Sequence, residues 1–337
     1  MKMIMNMKIE TIWQTLESDQ SFTGGLLYKR YAAHIKADIL VGIKGEDKKR
    51  WIGIGYSENI RLDISRFDTL KDILVDTRPN PSVSNVHLFV ISLENHVLKD
   101  IFSIVCEDLI SEVSPLSDTT VILRGILKRL EKWQLLFEQY RLGSMSIEAQ
   151  HGLYGELNFL RKIIEQTNNA ATCLQSWMGT SAYFHDFHWD TWAIEVKTSS
   201  LRSQNQIHIS NKAQLDNDKL QFLGICHYIL DTQTNKGETL NQVIEQLIDL
   251  FYQLDTSLVL VFKNKLLEVG YFKEHHAAYD STHYIVVNTK YYRIKEGFPR
   301  LIPSNIPLEI EDVKYILNID LCQNHQIEES NVFKNIF

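Results

Sequence analysis

The sequence of 337 residues is poor in cysteine and proline and contains no long apolar run. Its cysteines lie far apart and form no CxxC pair, which argues against a disulfide framework or a cysteine-ligated zinc site: Cys106, Cys173, Cys226 and Cys322. The absence of an apolar run of about 18 residues argues against a membrane-spanning helix. Met1–Glu10 lacks the apolar block of a signal peptide. We therefore expect a cytoplasmic protein without a membrane partner.

The chain also lacks an excess of basic residues. It has 35 Lys and Arg against 42 Asp and Glu, a formal net charge of −7. Proteins that bind nucleic acid unaided usually carry a basic excess, because they neutralise phosphates. The composition therefore counts against tight, autonomous DNA binding. It leaves open a nuclease that uses a local basic face or a partner protein.

The length and the hydrophobic patterns predict an α/β protein in several parts. We expect an N-terminal α/β module of unassigned role at residues 1–145, which could serve for contact with a partner or substrate. Residues 146–235 are expected to form the functional core, and residues 236–337 a C-terminal extension that packs on it.

Apolar residues at helical spacing predict four helices: His96–Val113, Val121–Leu142, Ile147–Gln166 and Leu240–Leu254. A short helix is expected at Lys212–Asp218. Segments rich in β-branched and aromatic residues predict strands at Lys36–Lys44, Lys49–Tyr56, Val86–Leu93, Thr172–Met178, Ala182–Trp189, Thr191–Thr198, Gln206–Ser210 and Phe222–Leu230. Ser257–Phe262 and Leu266–Phe272 resemble a hairpin, and Asp76–Asn85, with two prolines, a loop.

The segment Phe184–Lys197 carries the clearest chemical pattern. Two β-prone runs flank Asp190-Thr191, and a turn centred there pairs residues whose numbers sum to 381. Asp186 then lies opposite Glu195, with Cβ atoms about 4.5–5.5 Å apart. Lys197 falls on the same face, because side chains alternate along a strand. A four-residue loop, Trp189–Trp192, keeps this register, whereas a loop of odd length breaks it.

Opposed carboxylates repel each other unless a cation neutralises them, and a hard divalent cation prefers oxygen ligands. Such an ion polarises a phosphoryl oxygen and lowers the pKa of a bound water. A lysine beside it can orient that water or stabilise charge that develops on phosphate. Asp186, Glu195 and Lys197 therefore predict metal-assisted hydrolysis of a phosphodiester. The opposite face, including Phe187, Trp189, Ile194 and Val196, is predicted to be core.

Asp186 followed after eight residues by Glu195-Val196-Lys197 resembles the signature of the PD-(D/E)xK nuclease superfamily. The order of elements is also similar to its core, which implies a restriction-endonuclease-like fold of helix, mixed β-sheet, helix and strand. Further segments look like a bacterial branch known by a domain-of-unknown-function label: Gly152–Leu157, His185–Phe187, Glu195–Ser199, Gln214-Leu215 and Gly297–Arg300. The likeness is best between Ser146 and Leu230. His185 departs from the superfamily, which has proline before the aspartate.

The resemblance assigns expected roles within this sequence. Asp186 and Glu195 match the metal-binding carboxylates, with Val196 as a further metal-binding position, and Lys197 matches the catalytic lysine. Glu156 matches an additional acidic residue that many such nucleases place beside the metal. Mg²⁺ is the expected cofactor, with Mn²⁺ as an alternative. Nucleic acid, with DNA favoured, is the expected substrate, and the branch occurs in phage-defence gene clusters beside DNA-handling ATPases.

Other positions have weaker assignments. Gln214 either lies at the site, on the helix after the core strands, or only caps backbone. His188 falls on the Asp186 face and could lie near phosphate, whereas His185 should point the other way. Gly152 and Gly155 are expected to let their helix approach the sheet closely.

Structural readings of the same residues stay open. The Glu195–Lys197 pattern could be a solvated strand face, and Glu156 an ordinary surface acid on a helix. At the level of function, two rivals remain. One is a catalytically silent or partner-dependent nuclease fold that serves as a scaffold in a defence complex. The other is a hydrolase of a small phosphate compound, although no glycine-rich phosphate loop supports it. The sequence leaves open whether the protein forms a homo-oligomer.

Overall fold

The computed structural model describes residues 8–68, 70–179 and 184–334, and the chain divides into two compact units, Met1–Leu142 and Gly143–Phe337. The helices of the first unit are α1 (Lys8–Glu17), α2 (Lys99–Val113) and α3 (Thr119–Leu142). Its strands are β1 (Leu26–Arg30), β2 (Ile39–Lys44), β3 (Lys49–Ser57), β4 (Ile73–Pro79) and β5 (Val86–Leu93). In the described ranges, no helix is both long enough and apolar enough to cross a membrane.

The first unit contains an antiparallel sheet in the order β1-β2-β3-β5-β4. The predicted hairpin is confirmed, because Lys44 pairs with Lys49 across the turn, and strand β5 has its predicted bounds. The predicted loop Asp76–Asn85 is wrong in its first part, since residues 76–79 belong to β4 and pair with β5. Helix α1 lies on β2, where Trp13 Nε1 donates a hydrogen bond of 3.0 Å to the Gly42 carbonyl.

An ion cluster is buried between α1, β3 and α2 of this unit. Arg50 is 3% exposed and donates to both carboxylates of α1, at 2.7 and 2.9 Å to Glu10 and at 2.7 and 3.2 Å to Glu17. Arg50 also donates to Ser103 Oγ at 3.0 Å, and Lys99 donates to Glu17 at 3.2 Å. Two carboxylates therefore face two cations.

The second unit begins with helices α4 (Ile147–Thr167) and α5 (Ala170–Ser176). Strands β6 (Phe187–Trp189), β7 (Trp192–Ser200), β8 (Gln206–Ile209), β9 (Phe222–Gln233) and β10 (Glu238–Thr239) follow. The remaining elements are α6 (Leu240–Leu254), α7 (Leu258–Glu268), α8 (His276–Tyr279), β11 (His283–Arg293), β12 (Tyr315–Asn318), β13 (Gln326–Ile327) and α9 (Glu329–Phe333).

The main sheet of this unit has the order β10-β11-β9-β7-β6, with β13 paired to β11. Strands β7 and β9 run parallel, whereas the other pairs are antiparallel, so the sheet is mixed. Its centre, β9, is buried over Phe222–Leu230, and Leu223 and Ile225 on one of its faces belong to an apolar core. Strand β8 pairs instead with β12 in a small separate sheet.

Helix α4 packs directly on the sheet at Gly155. A Cβ atom built on Gly155 would lie 2.5 Å from Thr198 Cγ2 and 3.4 Å from Val196 Cγ1, so only glycine permits this approach. The same expectation for Gly152 is wrong, because a Cβ there meets nothing within 4 Å. The helix is capped by Ser146, whose Oγ accepts a hydrogen bond from the Ala149 amide.

Two predicted strand regions of this unit are helical. Thr172–Met178 lies largely in α5, and the hairpin expected at Ser257–Phe272 is replaced by α7. The buried residues of α7 recur at helical spacing and pack toward α5 and α6, since the ring centroids of Phe262 lie 6.0 Å from Trp177 and 5.1 Å from Phe251. Strand β11, which joins β9 to β10, was not predicted.

Candidate active site

The hairpin β6–β7 adopts the register expected from the sequence. Phe187 pairs with Ile194, and Trp189 pairs with Trp192, so two residues form the turn. Asp190 has φ of +48°, a backbone conformation that aspartate tolerates and that tight hairpins require. Asp186 directly precedes β6, and the same register places it opposite Glu195. Of the predicted strand Ala182–Trp189, residues 182 and 183 lie outside the described residues.

Carboxylates continue the hydrogen-bond ladder beyond the end of β6. Asp186 Oδ2 accepts a hydrogen bond of 2.7 Å from the backbone N–H of Val196. The Asp186 backbone in turn lowers the pKa of the Glu195 carboxylate, against the larger effect of burial. The hydrogen bond to Val196 holds Asp186 at the junction of the strands, beside Glu195.

Lys197 lies between the acids and a polar turn. Its Nζ is 2.8 Å from Glu195 Oε1 and 3.4 Å from Gln214 Oε1. Gln214 Oε1 also accepts a 2.8 Å bond from the Ser210 amide, so it caps backbone as well. The helix predicted for Lys212–Asp218 is wrong, because Asn211 Oδ1 accepts from the amides of Ala213 and Gln214 and stabilises a turn instead.

Glu156 reaches the same cluster from α4. Its Oε2 accepts a 2.7 Å hydrogen bond from Trp177 Nε1, and its charge interacts with those of Asp186, Glu195 and Lys197. The structure thus brings together the four residues predicted as catalytic. Sequence reasoning did not identify Trp177, which lies just after α5 in a segment predicted as a strand.

Arg300 is a second residue whose position sequence reasoning did not predict. Its Nη1 donates a 2.6 Å hydrogen bond to the carbonyl of Leu215, next to Gln214. The C-terminal tail therefore braces the turn that contacts Lys197. The motif Gly297–Arg300 was the available signal, but nothing in the sequence linked it to Gln214.

Burial and mutual repulsion disturb the protonation of the acids. Burial and the neighbouring charge of Asp186 raise the pKa of Glu195 to about 8. Burial, then Asp186, also raises the pKa of Glu156 well above its usual value. Burial raises the pKa of Asp186, although Lys197 and the Val196 amide oppose this. Burial disfavours charge on Lys197, but Glu195 and Asp186 outweigh it and raise the pKa of the lysine.

The donor set fits a hard divalent cation. Glu195 is 1% exposed, and its Oε2 is buried without a hydrogen-bond partner, although a carboxylate oxygen is costly to bury unpaired. If all three acids were ionised, their charge would exceed that of Lys197 by two, and Mg²⁺ or Mn²⁺ would neutralise this excess through oxygen ligands. In the described part of the chain, no three His, Cys, Asp or Glu side chains already form a metal-binding group. Main-chain oxygen, as proposed at Val196, and water would complete the shell.

The histidines and Trp189 depart from strict strand alternation. His185 and His188 line one common cavity, with ring centroids 6.3 Å apart, so the expectation that His185 points away from His188 is wrong. Residues 184–186 precede β6, and the alternation does not extend to them. Trp189 is 36% exposed at the end of the strand, whereas Phe187, Ile194 and Val196 are buried as predicted.

A protein-family model matches most of the chain. The model described as "Putative PD-(D/E)XK family member" (DUF4420) matches residues 9–320, which span both units and every residue of the cluster. No curated protein and no solved structure matches the chain. The α/β architecture with a mixed sheet is consistent with a restriction-endonuclease-like fold.

Proposed function

This chain belongs to the PD-(D/E)XK family, and we propose that it is a metal-dependent nuclease that hydrolyses phosphodiester bonds, with DNA as the substrate. One observation carries the proposal. The hairpin register brings Asp186 and Glu195 together, with Lys197 Nζ 2.8 Å from the Glu195 carboxylate. This combination of two acids and a lysine, at the spacing of the family signature, suits phosphodiester hydrolysis.

The proposed roles follow from the contacts. Asp186 and Glu195 would hold Mg²⁺ or Mn²⁺ together with the main chain of Val196, and the ion would supply Lewis acidity and an activated water. Lys197 positions the attacking water or stabilises charge on the phosphate, because its ammonium group is held between Glu195 and Gln214. Glu156, oriented by Trp177, adds a carboxylate beside them. His188 is the proposed contact to a neighbouring part of the substrate.

A partner is part of the proposal. The net charge of −7 disfavours tight autonomous binding to a polyanion, so a DNA-handling ATPase or another defence protein is expected to deliver the substrate. A role in phage defence or restriction rests on the family resemblance alone. It predicts that phage plaque formation on a host that carries the gene depends on Lys197.

The direct test is cleavage of single- and double-stranded DNA and of RNA with Mg²⁺ or Mn²⁺. We expect Lys197→Met and Asp186→Asn to lower the cleavage rate at least about 100-fold, the effect of removing one preorganised charge-stabilising group. Lys290→Met is the matched control, because Lys290 is a half-buried lysine of the same sheet that is paired with Asp320 at 2.9 Å.

Each outcome separates the alternatives. Equal cleavage by wild type, Lys197→Met and Asp186→Asn would overturn the assignment of the site. Absence of cleavage by the wild type, with each metal and substrate and after addition of cell extract from the source, would favour the silent scaffold.

A further inference from the structure

A cavity of about 660 Å³ adjoins the proposed catalytic cluster without including it. His188 lines the cavity and lies two residues after Asp186. Asp216 also lines it and lies two residues after Gln214, whose side chain contacts Lys197. The cavity and the proposed catalytic cluster are therefore both lined by this strand and by this turn. Two residues of extended chain span about 7 Å, about two nucleotide steps along a stacked strand, so a nucleotide next to the cluster is within reach of the cavity.

Flat, weakly polar groups form part of the cavity wall. The rings of His185 and His188 are nearly parallel, with an interplanar angle of 23°. Phe184 is 59% exposed at the cavity, and Leu220 and Pro303 add apolar surface. Nucleobases stack on such surfaces with little dependence on sequence. The wall thus suits a planar heterocycle.

The charged groups of the cavity are mostly acidic. Its carboxylates are Asp190, Asp216, Asp218, Glu311 and Asp312, against Lys212 and Lys219. Lys212 Nζ donates to the Ile310 carbonyl at 3.3 Å, so that lysine already has a partner. The acidic excess repels phosphate, but carboxylates accept hydrogen bonds from the amino groups of bases. Asp216 Oδ1 accepts from the Asp218 amide at 3.2 Å, which fixes the side chain beside His185.

We propose that this cavity binds one unpaired nucleobase with an exocyclic amino group, so cytosine, adenine or guanine in preference to thymine or uracil. The base would belong to a nucleotide next to the phosphate at Asp186 and Glu195, and Asp216 would accept its amino hydrogen bond. This inference rests on the proposed nuclease function, because the adjoining cluster identifies the ligand as a nucleic-acid strand rather than a free heterocycle.

The test measures binding apart from cleavage. Ca²⁺ replaces Mg²⁺, and fluorescence anisotropy gives the Kd for a labelled oligothymidylate of about ten nucleotides and for the same oligonucleotide with one central cytosine. We expect the cytosine to tighten binding about tenfold, the discrimination given by one good contact to a base edge. Asp216→Asn should abolish this difference in Kd, because the side-chain amide of asparagine donates hydrogen bonds as well as accepting them. Phe184→Ala should weaken binding to both oligonucleotides.

Asp249→Asn is the matched control, because Asp249 is an exposed acid on α6 outside the cavity. It should keep the preference for cytosine. Equal Kd values for the two oligonucleotides, with Mg²⁺-dependent cleavage intact, would overturn this inference and leave the nuclease assignment standing. Absence of both binding and cleavage would overturn this inference and the nuclease assignment together. A labelled basic peptide that binds wild type more tightly than Asp216→Asn, without base preference in DNA binding, would show a peptide site and also overturn the inference.

Discussion

The two units each contain a buried charge cluster, and the clusters are balanced in opposite ways. In the first unit, Arg50 and Lys99 face Glu10 and Glu17, and the Arg50 guanidinium donates to both carboxylates and to a hydroxyl. In the second unit, three acids face the single Lys197, and Glu195 keeps a buried oxygen without a partner.

The difference separates a charge-balanced ion cluster from the cluster that we propose as the active site. Burial alone would raise the pKa of Glu17, but the hydrogen bond and charge of Arg50 hold it below its usual value. Burial and Asp186 instead raise the pKa of Glu195 to about 8. Uncompensated buried acids of this kind cluster at functional sites, which supports the role proposed for Glu195.

The largest expected effect comes from breaking the balanced cluster. Arg50→Met leaves the buried carboxylate of Glu10 and the partly buried one of Glu17 without their main partner and should lower the free energy of unfolding by about 3–5 kcal/mol. Arg66→Met is the control, because the Arg66–Glu131 pair is 47% and 43% exposed and should contribute less than about 1 kcal/mol. Urea denaturation measures both. Similar losses in the two variants would contradict the structural role of Arg50.

The second-largest expected effect is a difference between the two clusters in the pH dependence of stability. In metal-free protein, the folded state keeps a proton on Glu195 up to about pH 8, whereas the unfolded chain loses it near 4.5. The contribution of Glu195 to the free energy of unfolding is therefore complete below pH 4.5. It is lost as the pH rises toward 8, at about 1.4 kcal/mol per pH unit. Glu17 acts oppositely, since its lowered pKa gives stability that is lost as pH falls below 4.5.

Denaturation midpoints between about pH 5 and about pH 8, in the presence of a chelator, test this prediction. Glu195→Gln should flatten the profile, and Mg²⁺ should restore stability at the higher pH by binding the folded state. A wild-type profile as flat as that of Glu195→Gln would contradict the raised pKa.

The smallest effect concerns how α4 delivers Glu156 to the second cluster. Gly155→Ala places a methyl group 2.5 Å from Thr198 Cγ2, so the helix must shift, at a cost of about 1–3 kcal/mol and with reduced cleavage. Gly152→Ala enters open space and should stabilise the helix by about 0.5–1 kcal/mol. Thermal denaturation compares the two. Equal stability would show that α4 does not need this close approach.

Local rules sufficed to predict the hairpin of the site. The turn at Asp190-Thr191 and the alternation of side chains fix the register, and both depend on neighbouring residues only. The helices with a clear apolar stripe, such as α4 and α6, were also predicted within one or two residues.

Elements that depend on distant contacts were not predictable in this way. Helix α7 begins Leu-Val-Leu-Val-Phe, a strand-like run, but its packing toward α5 and α6 favours a helix. Strand β11 has a bulge between Val286 and Asn288, which interrupts the alternation that would reveal it. Trp177 contacts Glu156 across 21 residues, and Arg300 contacts the Gln214 turn across 85 residues. Such contacts produce no periodic pattern in the sequence.

The bond from the Val196 amide to Asp186 has a consequence for self-association. Strand β6 is a short edge strand, and an amide left open beyond its end invites a strand from another molecule to add there. The Asp186 carboxylate accepts from this donor, so the amide is not available to a strand from another molecule. Asp186→Ala would open the edge, whereas Asp186→Asn retains an acceptor and removes only the charge.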